Sequence, residues 1–387
     1  MATASTSPLA APRRELQFAS GNRMLARGAV DAGCRFFSGY PITPSSEIYE
    51  TMIKQLSVSG GLALAAPDEI TALASCVGAS LAGYKAMTAT SGPGWSLMIE
   101  TVQYAVMTET PVVVALVQRL GPSTGGATQG AQGDLLLVES CISGGYTIPV
   151  FAPANARQCY ELAGAAFYWS ERLRTPAVVL SDKEVGMTLE RVDLGALRRW
   201  PSKERKPFTG RRDRFRTYAC EYLEEPPDFA AVGGAARVVA TGSAHDQAGR
   251  LRKNAPEVVE LLLHLQAKIA AYADSMAMVE QDLQEGADQL LIGWGISARA
   301  ARAACYRMRE SGRRVSYLQP LTLFPVPEAA IRRAAQGCAI VVVVEENLTG
   351  LYASVLEPHL TGVRLLRATG IGHMITPDEI QSVAETA

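Results

Sequence analysis

Along this chain, short and almost continuously apolar runs alternate with longer segments of helical period, and that alternation restricts the fold to parallel sheet covered by helices on both faces. The pattern is clearest between residues 35 and 189, where RFFSGYP, GLALAAP, KAMTATS and PVVVALVQ are separated by PSSEIYETMIKQL, DEITALASCVGASLAG and WSLMIETVQYAVMT. IPVFAP, a helix over 154–172 and PAVVLS continue it. These segments form one doubly wound domain over residues 16–191, preceded by a disordered tail at 1–15. Composition changes over 192–286: SKERKPFTGRRDRFR is dense in charge, EEPPD breaks any regular element, and residues 255–284 read as one long helix. This stretch is expected to be a linker. The alternation resumes in DQLLIGWG, SARAARAACYRMRESG, RVSYLQPL, VPEAAIRRAAQG and AIVVVVEEN, a second and smaller α/β domain over 287–387.

A chain of 387 residues with 48% apolar content can fill two such cores. Lys plus Arg (37) nearly cancels Asp plus Glu (38), so there is no global field to attract nucleic acid or anionic lipid. Proteins and small molecules remain as partners. The seven cysteines, Cys34, Cys76, Cys141, Cys159, Cys220, Cys305 and Cys338, never approach metal-ligand spacing and read as reduced thiols of a cytoplasmic protein. If electrons leave this protein through iron-sulfur clusters, another chain must hold them. The start, MATASTSPLAAPRREL, lacks the apolar core of a secretory signal, and no apolar run is long enough to span a membrane.

Ligands of open parallel sheets bind beyond the carboxyl ends of the strands, so residues just after each apolar run are the candidates. They are Tyr40, Pro41, Ile42, Thr43 and Pro44; Asp68 and Glu69; Ser91, Gly92, Pro93 and Gly94; and Gln118 and Arg119. Each has a purely structural explanation. Thr43 could cap a helix with Pro44 at its first position, Glu69 could complement a helix dipole, and the glycines could shape a strand-to-helix turn. Arg119 resists such an explanation, because a guanidinium directly after a buried strand needs an anion, and its fork suits a carboxylate. The loop QRLGPSTGGATQGAQGD that follows it is long for a compact domain, as functional loops are.

With these residues the chain resembles the alpha subunit of the 2-oxoglutarate:ferredoxin oxidoreductases, within the wider 2-oxoacid:ferredoxin oxidoreductase family. The matching stretches are AGCRFFSGYPITPSSEI (32–48), DEITALASCVGAS (68–80), KAMTATSGPGWSLMIETVQYAVMTETPVVV (85–114), QRLGPSTGGATQGAQGD (118–134) and, more weakly, TGSAHDQAG (241–249) and LTLFPVPE (321–328). The resemblance implies a thiamine-diphosphate pyrimidine-binding domain followed by a transketolase-C-like domain. It implies that Glu69 bonds the aminopyrimidine and activates the cofactor, with Tyr40, Pro41, Ile42, Ser91, Gly92 and Pro93 around it. Thr43 and Arg119 would hold the substrate's carboxylate and carbonyl, and Thr128 would lie near its distal end. It further implies a beta subunit carrying Mg2+, the diphosphate contacts and a [4Fe-4S] cluster, coenzyme A as co-substrate and ferredoxin as acceptor. Separate gamma or delta subunits and a dimer of heterodimers complete the implied assembly. The GDG run that would bind diphosphate in such a family is absent from this sequence.

The chain departs from the family pattern at two places. Pro67 stands where relatives commonly carry another acid, and Gln129 with Gly130 stands where many users of 2-oxoglutarate place a cation. Pyruvate or a branched-chain 2-oxoacid is therefore an alternative substrate. A rival enzyme class comes from Gly293, Gly295 and Ala298, which fit the G-x-G-x-x-A pattern of a dinucleotide site. That reading requires an acid about 20 residues on, whereas the next strand ends in Gln319 and Pro320, so the turn reads as strand-to-helix packing. A non-catalytic interaction subunit is a third possibility, opposed by the joint presence of Glu69, Thr43 and Arg119. His245 and Asp246 read as a polar turn of the linker, His264 as a helix residue, and His359 and His373 carry no metal spacing.

Overall fold

The computed structural model describes residues 15–386; except for Glu15, the expected N-terminal tail lies outside the described residues. The strands are β1 (Leu16–Ser20), β2 (Phe36–Gly39), β3 (Leu62–Ala65), β4 (Ala86–Thr90), β5 (Val113–Gln118), β6 (Val150–Phe151), β7 (Ala177–Asp182), β8 (Leu189–Asp193), β9 (Val279–Asp282), β10 (Gln289–Gly293), β11 (Val315–Pro320), β12 (Thr322–Phe324), β13 (Ile340–Glu345) and β14 (Arg364–Thr369). A seven-stranded sheet runs β12-β6-β7-β5-β4-β2-β3 and a five-stranded one β14-β13-β10-β11-β9. Both are parallel apart from one antiparallel strand at an edge, β12 against β6 and β9 against β11. The fold is thus the α/β class of the sequence reading.

Every residue of β4, β5 and β7 is buried, which is why those runs are largely apolar, their polar residues being Thr88 and Thr90 and the ends of β5 and β7. The helices Gly21–Asp31 and Ala156–Leu173 pack against one another on one face, and Glu69–Leu81 with Gly92–Met107 on the other. Edge strand β3 differs, leaving Leu62 51% and Leu64 40% exposed. An open apolar edge of this kind is a surface made to be covered.

The two sheets are not independent units. After β11 the chain crosses back, and β12 completes the first sheet from a sequence position deep in the second half. One continuous core joins Trp95, Leu116 and Leu180 to Trp294, Val343 and Tyr352.

The single long helix expected over 255–284 is not formed. A helix spans Pro256–Ala270, a short one spans Ala273–Met276, and the remainder becomes β9. Tertiary pairing overrides local propensity here. β9 pairs with β11, and its acids find cations: Glu280 bonds Arg157 at 2.6 Å and Asp282 bonds Arg309 at 3.0 Å.

Charges of the intervening segment are used internally rather than left to solvent. Arg205 enters the first domain and makes a buried pair with Glu171 at 2.6 Å. Helix Pro256–Ala270 docks through Lys268 and His264, both buried, onto Glu109, whose carboxylate receives Lys268 at 2.7 Å and His264 Nε2 at 2.9 Å. The other imidazole nitrogen of His264 donates to the Leu223 carbonyl at 2.7 Å. Both ring nitrogens therefore face acceptors, which only the imidazolium satisfies. Burial opposes that charge, but hydrogen bonds to Cys220 and Glu109 and the charge of Glu109 outweigh it and raise the His264 pKa to about 9. For Glu109 burial is likewise outweighed, by Lys268, His264 and Arg174, which hold it well below the usual carboxylate range.

The sign of the linkage follows. A histidine whose pKa is raised on folding contributes stability that is complete below about 6.5 and is lost as pH rises through about 9. The protein should lose roughly 3 kcal/mol of stability between pH 6.5 and 9.5 from this group. In His264→Gln that part of the alkaline decline in Tm should vanish, as scanning calorimetry across the range would reveal; an unchanged decline would remove His264 from the account.

Candidate active site

Strand order reverses between β2 and β4: from β2 the chain moves outward to β3, and from β4 it moves the other way to β5 and β7. The segments after β2, β3, β4 and β5 consequently meet at one carboxyl-end crevice. This brings together Tyr40–Thr43, Glu69, Ser91–Gly94 and Arg119.

Glu69 opens the helix Glu69–Leu81, but Asp68 caps that helix, its carboxylate accepting from the Thr71 N–H at 2.7 Å. Capping thus gives no reason for Glu69 to be buried, yet it is only 6% exposed. Its carboxylate lies against Gly94, where a Cβ would stand 2.8 Å from Oε1. Gly92 is approached from its own side by a second carboxylate, that of Asp134, whose Oδ1 would be 2.5 Å from a Cβ there. The space left by the glycines of SGPG is taken by these two acids and, at Gly94, also by the Thr90 hydroxyl. Ser91 Oγ between strand and turn is buried without a partner.

Thr43 caps nothing, because the following helix begins at Ser46 with Ser45 as its cap residue. The Thr43 carbonyl instead accepts from Arg119 Nη1 at 2.6 Å, so those two predicted residues are joined directly. Arg119 is buried and its Nε has no partner. Tyr40 and Pro41 stand exposed and Ile42 is half-buried. Thr128 is exposed on the loop after Arg119 and does not line the cleft formed there. That cleft, of about 500 Å³, is bounded by Gly92, Pro93, Arg119 and Asp134 on one side and by Asn347, Leu348, Thr349 and Leu351 on the other.

Sequence reasoning missed Asp134 and the network behind it. An aspartate between a Gly-rich loop and LLLVE reads as a helix cap, yet its side chain makes no capping bond. Its backbone N–H donates to Gln118 Oε1 at 3.1 Å, and Gln118 Nε2 donates to Asp182 at 2.9 Å. Asp182, at the end of β7, has no solvent exposure and also accepts from the Ile296 N–H at 2.5 Å. Gln132 donates to Asp182 at 3.3 Å and to the Trp294 carbonyl at 2.8 Å, and exchanges two further bonds with the backbone of Glu346. Burial raises the Asp182 pKa well above the carboxylate range; the Ile296 N–H opposes this, and Glu346 and Glu184 reinforce it.

The network also disposes of the dinucleotide reading. At the turn of Gly293 and Gly295, the N–H that would meet a phosphate is taken by the chain's own Asp182. Gly295 has φ +54°, and a Cβ there would overlap the Asp182 carboxylate and lie 2.5 Å from Gln132 Nε2. Gly295→Ala should therefore part the two sheets locally, lowering Tm by several degrees and loosening the 118–134 loop. Hydrogen exchange of that loop, unchanged beside the wild type, would refute the coupling.

All seven cysteines are free, and no group of three or more His, Cys, Asp or Glu side chains among the described residues is placed to hold a metal ion. No helix among them is long and apolar enough to cross a membrane.

Two family models and several known proteins match this chain. Residues 27–263 match the family model described as pyruvate flavodoxin/ferredoxin oxidoreductase, thiamine diP-binding, and residues 287–366 that of pyruvate:ferredoxin oxidoreductase core domain II. The chain is 39% identical over 372 residues to the 2-oxoglutarate synthase subunit KorA of Methanothermobacter marburgensis, covering 95% of this chain and 97% of that one. It is 30% identical to the ketoisovalerate oxidoreductase subunit VorB of the same organism, over 85% and 86% of the two chains. Among solved structures, the 2-oxoglutarate:ferredoxin oxidoreductase from Magnetococcus marinus with 2-oxoglutarate, coenzyme A and succinyl-CoA bound superposes with a TM-score of 0.90 at 30% identity, over all of this chain and 68% of that one.

Proposed function

Because the chain belongs to the pyruvate flavodoxin/ferredoxin oxidoreductase family, we propose that it is the alpha subunit of a 2-oxoacid:ferredoxin oxidoreductase, converting 2-oxoglutarate and coenzyme A to succinyl-CoA, carbon dioxide and reduced ferredoxin. The observation that carries this reading is the buried Glu69 carboxylate set against Gly94 at the strand-order reversal. Its surroundings suit the aminopyrimidine half of thiamine diphosphate: an acid freed from capping, a glycine that makes room, and the orphaned Ser91 hydroxyl. When bound, the cofactor supplies a nucleophilic carbon that lets the 2-oxoacid lose carbon dioxide.

In this reading Glu69 shares a proton with a ring nitrogen of the pyrimidine. Tyr40, Pro41, Ile42, Ser91, Gly92 and Pro93 shape the walls. Thr43 and Arg119 hold the substrate's C1 carboxylate, the guanidinium already fixed by its bond to the Thr43 carbonyl and keeping Nε free for an anion. Thr128 lies near the distal end of the substrate, on the exposed loop outside the cleft itself. A beta subunit supplies Mg2+, the diphosphate contacts and the [4Fe-4S] cluster. It covers the apolar surface around β3, where Leu62, Leu64 and Ile70 are exposed beside Glu69. The assembly is a cytoplasmic dimer of heterodimers that passes electrons to ferredoxin, with any gamma or delta module on a separate chain.

A monocarboxylic 2-oxoacid, pyruvate or a branched-chain acid, is the second reading, and one observation favours it. Gly130 packs against the Glu184 carboxylate, so an acid stands near the loop position where a distal carboxylate would want a cation.

The test is anaerobic viologen reduction with coenzyme A by the chain co-expressed with its beta subunit, across a panel of 2-oxoacids. Strong preference for 2-oxoglutarate supports the first reading, preference for a branched acid or pyruvate the second, and no turnover at all overturns both. Glu69→Gln should assemble normally yet lose about two to four orders of magnitude in kcat; near-normal turnover would remove Glu69 from cofactor activation. Arg119→Lys should raise KM far more than it lowers kcat, because a point charge cannot reproduce a bidentate contact.

A further inference from the structure

The cleft beside Gly92 contains two unsatisfied groups of opposite kind. Arg119 Nε is a buried donor and Asp134 Oδ2 a buried acceptor, neither with a partner, and both residues line the same cleft. They do not satisfy one another, since Arg119 is turned to the Thr43 carbonyl and the Asp134 carboxylate to Gly92. Buried polar atoms left without partners in a folded protein call for a ligand or a proton that completes them. An anion held by Arg119 would meet Asp134 as a second carboxylate. Two carboxylates cannot share such a space unless one is protonated.

We propose that Asp134 is a positioning residue for the 2-oxoacid: it must carry a proton for the acid's carboxylate to take Arg119, so substrate capture is coupled to protonation of this side chain. The protonated carboxyl then donates to the acid's carboxylate, and the unpartnered Nε of Arg119 donates to it as well. This rests on the function proposed above.

The surroundings support it. Burial pushes the Asp134 pKa up to about 6, and Arg119 pulls it part of the way back. Arg119, on the same wall of the cleft, is the charged group that acts on it. Gly92, Pro93 and Ser96 from the helix, and Asn347, Leu348 and Thr349 from the second sheet, contribute nothing that titrates. Glu69 lies against Gly94 rather than Gly92, and the Glu346 carboxylate is directed to the Ile375 N–H. The backbone of Asp134 is held by Gln118, which leaves its side chain free to change protonation without moving the loop.

For a site that admits its anion only when one group is protonated, apparent affinity falls about tenfold per pH unit above that group's pKa. In the assembled enzyme the KM for the 2-oxoacid should therefore climb from pH 6 upward while kcat changes little. Asp134→Asn, which donates but never ionises, should keep a low KM that is flat across this range. Asp134→Leu, which does neither, should show a high and flat one. A second readout needs no turnover: calorimetry at pH 7.5 in two buffers of different ionisation heat, with the unreactive analogues oxamate or N-oxalylglycine. The wild-type complex should take up about one proton per analogue bound and Asp134→Asn none. Binding without proton uptake, or a KM slope that survives in Asp134→Asn, overturns the proposal while leaving the proposed activity standing. A wild-type complex that neither turns over nor binds either analogue overturns both.

Discussion

The Asp182 carboxylate is the point on which the two halves of this molecule and its candidate site all depend. It lies at the end of β7 with no solvent exposure, and it receives the Ile296 N–H from the second sheet together with Gln118 and Gln132 from the first. Such a group is costly to bury, and each bond it accepts offsets part of that cost. Removing any one partner would leave a polar atom stranded in the core, so the network holds as a unit. Because Gln118 also holds the Asp134 backbone, and Arg119 follows Gln118 in the chain, the same carboxylate fixes where the cleft's donor and acceptor stand.

From that anchor the site acquires its form through what the SGPG turn lacks. Side chains at Gly92 and Gly94 would collide with Asp134 and Glu69 respectively. The turn thus separates two acids, the buried Glu69 against Gly94 and the half-buried Asp134 against Gly92. Each is positioned by a different part of the chain, Glu69 by a helix start and Asp134 by a loop end. The arrangement remains open at β3, where exposed apolar residues leave room for the partner subunit that the reading requires.

The segment between the sheets shows how charge content can mislead. SKERKPFTGRRDRFR looks like a solvated linker, yet Arg205 is buried against Glu171, and the helix that follows is bound by His264 and Lys268 to a fully buried Glu109. Paired burial of this kind specifies one docking geometry, since any shift leaves a charge uncompensated. The linker is in effect part of the first domain's surface, tightened onto it by ions.

What the sequence alone determined was the part governed by local periodicity and by motif: parallel sheets, the order of elements, and Glu69, Thr43, Arg119 and Ser91 at the ends of strands. Those properties follow from nearest-neighbour geometry, because a parallel strand buried on both faces is largely apolar and ligands of such sheets bind beyond its carboxyl end. Only the tertiary structure decided that residues 279–282 form a strand rather than the end of a helix, that β12 returns to the first sheet, and that Asp134 faces Gly92. It also decided that the glycine turn at 293–295 receives Asp182 instead of a phosphate. Each of these depends on pairing between residues far apart in the chain, and the free energy of a buried carboxylate is set by partners that no local window of sequence contains.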